Sequence, residues 1–109
     1  MSCSHSLHVK EINMQLEIIT PETKIFKGDV EAVLLPGLDG WFQVLKGHAP
    51  IISALGKGKV KIDLSTPFER DEKSSEMIEG DQKDSKVIRV SINGGVLELQ
   101  NDKIVLLAE

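Results

Sequence analysis

The chain has 109 residues, 40% of them hydrophobic and 28% charged, with a formal net charge of −4. That is room for one domain with a core of its own and too little for two, and it excludes a membrane-spanning helix, since no apolar run approaches the roughly 18 residues needed. The single cysteine, Cys3, excludes an intramolecular disulfide and fits a reducing, cytosolic compartment.

In chain order, residues 1–13 (MSCSHSLHVKEIN) are polar, lack a signal peptide's apolar core and lead into Met14. They read as an N-terminal extension without fixed structure, ahead of a domain spanning 14–109. From there, alternation with a period of two dominates. LEIIT (16–20), VEAVLL (30–35), WFQVL (41–45) and KVKIDL (59–64) are short apolar segments rich in β-branched residues, as are VIRVSI (87–92), VLELQ (96–100) and KIVLLA (103–108). Pro36-Gly37, Asp39-Gly40 and Gly56-Lys57-Gly58 punctuate them. Asn93-Gly94-Gly95 has the composition of a hairpin turn, and Asn101-Asp102 that of another tight reversal. Between Ser65 and Lys86 lies a long polar connection, expected to be a solvated loop. Seven acids against three bases between Glu69 and Asp84 carry the whole net charge. No basic stripe remains elsewhere, and with 4% aromatic residues there is no stacking platform, so nucleic acid is excluded as a partner. Many short strands and no amphipathic helix predict an all-β fold: an antiparallel β-sandwich or flattened barrel of about ten short strands.

Few residues invite chemistry. His48, in Gly47-His48-Ala49-Pro50, is the one histidine beyond the first ten residues. A catalytic base needs a nucleophile and an orienting carboxylate; Asp39 and Ser53 are near in sequence, but nothing in their spacing forces convergence. A rigid, tightly turned loop ending a strand is the simpler reading, because Gly47 permits unusual angles and Pro50 holds Ala49 extended. Cys3, His5 and His8 are three ligands at most on a polar tail, with no second cluster to complete a metal site. GKGK (56–59) lacks the first glycine and the hydroxyl residue of a phosphate loop. Trp41 is different. Phe42 and Val44 share one face of their strand, which turns Trp41, Gln43 and Leu45 to the other; Trp41 is there either covered by neighbouring strands or exposed as a candidate contact residue.

Thr20-Pro21-Glu22, Phe26-Lys27-Gly28, Pro36-Gly37, Gly40 and Gly47-His48-Ala49-Pro50 occur in order within LEIITPETKIFKGDVEAVLLPGLDGWFQVLKGHAPIISAL (16–55). This resembles the N-terminal β-sandwich domain of the epsilon subunit of F-type ATP synthases. VSINGGVLELQNDKIVLLAE (90–109) resembles that family's closing hairpin, through Gly94-Gly95, Leu97-Glu98-Leu99, Asn101 and Leu107-Ala108-Glu109. The likeness covers 15–64 and 87–109. Lys46 stands where the family usually has proline, Asn93 where it has serine, and Trp41 where it is more often polar. The connection 65–86 is longer than usual. Many members of the family continue into two helices that carry a brake on ATP hydrolysis and, in some, a nucleotide site; the sequence stops before them, through a naturally short subunit or a truncation, and neither function is implied.

The resemblance implies a non-catalytic central-stalk subunit without cofactor or metal, which couples ion-driven rotation to ATP synthesis. It would dock on the gamma subunit through Thr20 and the loop of Gly47, His48 and Ala49, and on the c-ring loops through Asp39, Gly40 and Trp41. It would sit at the cytoplasmic face of the bacterial inner membrane, held by the complex without inserting. The alternatives are a free-standing sandwich that presents Trp41 to a peptide or carbohydrate, and an enzyme built on His48. The first predicts ligand-dependent Trp fluorescence, the second an activity lost in His48→Ala.

Overall fold

The computed structural model describes residues 14–68 and 78–109. The expected extension 1–13, with Cys3, His5 and His8, and residues 69–77 of the acidic connection lie outside the described residues. Among those described, nine strands form and no helix: β1 (Met14–Ile19), β2 (Lys24–Gly37), β3 (Gly40–Leu45), β4 (Ile51–Leu55), β5 (Gly58–Leu64), β6 (Ile78–Gly80), β7 (Val87–Ile92), β8 (Gly95–Gln100) and β9 (Lys103–Ala108).

The alternation read from the sequence is what folds the chain. Val60, Ile62 and Leu64 of β5, and Ile88, Val90 and Ile92 of β7, all point into the core, while Lys59 and Ser91 face out. Leu16, Ile18, Leu97, Leu99, Ile104 and Leu106 fill it from the other side. Among the described residues, none of those fully withdrawn into the core is polar or charged. Each fully buried Leu or Ile removes enough apolar surface from water to contribute roughly 1.5–3 kcal/mol. The all-β sandwich is therefore the observed architecture.

Its two layers share one long strand. The start of β2 pairs with β1, which lies beside β9, then β8, then β4. The end of β2 pairs with β3 on one side and with β5 on the other, followed by β7 and β6. Val30 is the pivot: it sits opposite Met14 of β1 and opposite Leu64 of β5. The irregularity between Val30 and Ala32 shifts the inward parity, so that Val33 and Leu35 enter the core beyond it. A single bridge, Gly37 to Leu55, joins β2 back to β4. All pairings are antiparallel except β1 with β9, which is parallel.

Four details differ from the sequence reading. β2 begins at Lys24, six residues before VEAVLL. IISAL forms β4, a strand not expected there. The connection from Ser65 to Lys86 is not wholly loop. Ile78, 3% exposed, anchors β6 against Val90 of β7, and Asp81 folds the following turn by accepting the amides of Lys83 and Asp84 and the Arg89 guanidinium, each at 2.9 Å. Lastly, Asn93-Gly94-Gly95 makes no hairpin, because β7 and β8 belong to different layers. Gly94 and Gly95 have φ of 138° and 152°, a mirror-extended path open only to glycine, and it carries the chain from one layer to the other.

Candidate functional site

The expected contact residues fall on three turns and the sheet face between them. Thr20 closes the β1–β2 turn. Its amide donates to the Thr23 carbonyl at 2.8 Å, its hydroxyl donates to the same oxygen at 3.0 Å, and it accepts the Thr23 amide at 3.1 Å. The hydroxyl is thus committed to the turn, the usual use of Thr at such a place.

Asp39, Gly40 and Trp41 lie at the β2–β3 hairpin, where Gly37 faces Gly40 and the turn residues are Leu38 and Asp39. Trp41 is 57% exposed and Leu38 69%. The strand parity is as expected: Val44 is buried, Phe42 packs against the core, and Trp41 lies outside. The Trp41 ring is nevertheless supported, with its edge 3.4 Å from where a Cβ at Gly58 would stand and Pro36 beside it. The Gly56 amide donates to the Pro36 carbonyl at 2.7 Å, which fastens the hairpin to the far end of β4. A cleft of about 480 Å³ opens here, lined by Leu38, Trp41, Phe42, Ile52, Ser53 and neighbouring residues.

Gly47, His48 and Ala49 lie at the opposite end of β3, roughly 20 Å from the hairpin at about 3.3 Å per residue. Gly47 has φ 84°, in the left-handed range, and the His48 amide donates to the Leu45 carbonyl at 3.1 Å. The exposed His48 ring folds onto its own backbone, its Nδ1 donating to the Ala49 carbonyl at 2.7 Å. Asp39 is at the far end of the strand, so no orienting carboxylate is added from there. The carboxylate that does reach this loop is Asp102, from the β8–β9 turn. Its Oδ1 accepts the Gly47 amide at 3.0 Å, and its Oδ2 lies 3.6 Å from the Lys46 ammonium. In the sequence Asp102 is only a turn residue; it follows Gly47 by 55 positions, and no local signal pairs them.

Thr20 and His48 are not brought together. By register, Thr20 follows Ile19, which pairs with Leu107, whereas the His48 loop precedes Ile51, which pairs with Leu99 at the other end of the sheet. Between these corners runs a row of outward apolar side chains, opposite one another on four successive strands: Ile19, Leu107, Val96 and Ala54. Ile52, 74% exposed, extends it toward the His48 loop, and Leu107 and Val96 are about half exposed. Among the described residues no group of three or more His, Cys, Asp or Glu side chains is placed to hold a metal. What the described surface offers is contact area.

Comparison with known proteins points the same way. The family model for the ATP synthase delta/epsilon chain β-sandwich domain matches residues 13–70. The ATP synthase epsilon chain of Chlorobium limicola is 39% identical over 95 residues, covering 87% of this chain and 88% of that one. That of Chlorobaculum tepidum is 39% identical over 94 residues, covering 86% of each. The Desulforamulus reducens epsilon chain is 30% identical over 95 residues, and there the match spans only 58% of the relative. In solved structures, a chain of the Euglena gracilis mitochondrial ATP synthase superposes with a TM-score of 0.68 at 15% identity, covering 89% of this chain and 51% of that one. A chain from the central stalk and c-ring of the Tetrahymena thermophila enzyme gives 0.60 at 12%, covering 87% and 62%. At such identities these two speak for the fold alone. The sequence matches carry the assignment: the chain belongs to the delta/epsilon family of ATP synthase subunits, and its described residues form that family's β-sandwich domain.

Proposed function

We propose that this protein is a non-catalytic rotor subunit of a bacterial F-type ATP synthase, and that it couples ion-driven rotation of the c-ring to ATP synthesis in the catalytic head. The gamma subunit docks on the outer face of β1, β9, β8 and β4, between Thr20 and the loop of Gly47, His48 and Ala49. The c-ring loops meet the hairpin of Asp39, Gly40 and Trp41. The subunit is peripheral, held through these partners at the cytoplasmic face of the inner membrane.

The observation that carries this reading is the apolar row Ile19–Leu107–Val96–Ala54, extended by Ile52. It is a water-exposed apolar surface on a sheet whose other face is the core. Such a patch gains most from burial against a protein partner. A part that transmits torque needs contact area, and this row supplies it. The cleft beside Trp41 supports a second reading, a free-standing module for a peptide or carbohydrate, which predicts Trp fluorescence changes and no affinity for gamma.

The test is co-expression with the gamma subunit of the same synthase, followed by size-exclusion chromatography. Wild type is expected to co-elute at one to one. Leu107→Glu, at a half-exposed position where folding tolerates a charge, is expected to weaken binding by about tenfold or more through an unpaired carboxylate in the interface. Wild type that ignores folded gamma overturns the rotor reading and leaves the Trp41 cleft as the place to look.

A further inference from the structure

We infer that Asp102 is a positioning residue for the partner-facing loop, a clamp that fixes the conformation in which Gly47, His48 and Ala49 are presented. The inference rests on the reading of that loop as part of the gamma interface.

Asp102 ties three segments together. It sits in the β8–β9 turn with φ 59°, next to Asn101 at 52°, the pair of left-handed residues that a tight hairpin of this kind requires. Its backbone carbonyl accepts the Gln15 amide at 3.0 Å, which holds the start of β1. Its carboxylate accepts the Gly47 amide at 3.0 Å and lies 3.6 Å from the Lys46 ammonium. The loop from Lys46 to Pro50 is exposed throughout, so packing does little to order it. Among the described residues, apart from the turn bond of His48 to Leu45, the Asp102 carboxylate is what fixes it to the body of the domain. A loop held in its bound shape loses less freedom on docking than a loose one, and that difference appears in affinity. The two contacts differ in weight. A charge-assisted bond to a backbone amide is short and directional, whereas the lysine is 40% exposed and only within ion-pair range, where screening removes most of the gain. The Gly47 amide is therefore the contact that matters.

Three variants separate the clamp from the turn. Asp102→Gly removes the carboxylate and keeps the left-handed backbone without strain. Asp102→Asn keeps an acceptor oxygen and tolerates the same φ, but drops the charge. Lys46→Ala removes the ion pair alone. Two measurements are made on the full chain: hydrogen exchange at the Gly47 amide, and affinity for the gamma subunit by calorimetry. The clamp predicts that Gly47 exchange accelerates about tenfold or more in Asp102→Gly and stays within about threefold of wild type in Asp102→Asn and Lys46→Ala, while exchange in β8 is unchanged. Gamma affinity is expected to follow the same order, with Asp102→Gly weaker by about fivefold or more. Unchanged Gly47 exchange in Asp102→Gly, or equal acceleration in Asp102→Asn, overturns the clamp. A released loop with undiminished gamma affinity overturns its role in docking. Wild type that does not bind gamma at all overturns the rotor reading instead, and the exchange data still decide whether the clamp exists.

Discussion

Single residues set the tolerances of this fold most sharply where no side chain fits. A Cβ at Gly95 would run into the Leu107 carbonyl oxygen and stand 3.1 Å from the Ala108 Cα, at a φ of 152°. Both the clash and the backbone angle oppose substitution, so Gly95→Ala is expected to cost roughly 2–4 kcal/mol, read as a lower urea midpoint at an unchanged slope. The importance of the glycine was visible in the sequence; its purpose was not. Asn-Gly-Gly is the composition of a hairpin, and only the position of β7 and β8 in separate layers turns it into a crossover. Trp41 was legible further. Its period-two neighbours place it outside the core, and there it lies, although its support by Gly58 and Pro36 comes from β5 and β2 and has no local signature.

Strands and turns were recognised where their own sequence closes the argument. KVKIDL and VIRVSI alternate cleanly, and each is a strand over nearly those bounds. β6 is the contrary case: three residues, Ile78-Glu79-Gly80, with one apolar side chain, which pair because the edge of β7 offers them partners. Its turn is held by Asp81. The Arg89 guanidinium first, then the Lys83 and Asp84 amides, hold the Asp81 carboxyl below the usual aspartate range. The folded carboxylate is thus harder to protonate than the unfolded one, and its stabilisation is complete above the ordinary value of about 4 and lost as pH falls through the lowered one. Asp81→Ala is accordingly expected to be less stable than wild type at pH 7, with the gap narrowing in urea titrations as pH falls below the ordinary aspartate range. A gap that does not narrow as pH falls would mean that the side chain acts by packing and not by charge. Lys24, 2.8 Å from Glu17, lowers that carboxyl in the same direction on β1.

For the whole molecule, the order of assembly follows from the topology. β9 is inserted between β1 and β8, so residues 15–19 must find 103–107 before the first layer is complete. Closing so long a loop loses entropy before any contact is gained. Refolding is expected on the millisecond-to-second scale as a single exponential, coincident by far-UV circular dichroism and Trp41 fluorescence in stopped-flow mixing. A microsecond phase that carries the full amplitude would contradict this account. The same closure gives the sandwich its stiffness, since β2 runs through both layers and the bridge from Gly37 to Leu55 ties its end to β4.

The sequence by itself determined the class of fold, the inward faces of the main strands, and the family, because each is written in local alternation or in an ordered set of turn motifs. It also separated the His48 loop from the Trp41 hairpin, since one six-residue strand lies between them. Only the tertiary structure decided which strands are neighbours, that β1 and β9 run parallel, that Ile19, Leu107, Val96 and Ala54 form one row, and that Asp102 holds Gly47. Those are relations between residues far apart in the chain. They arise from burying all the apolar faces at once, and no window of the sequence contains that condition.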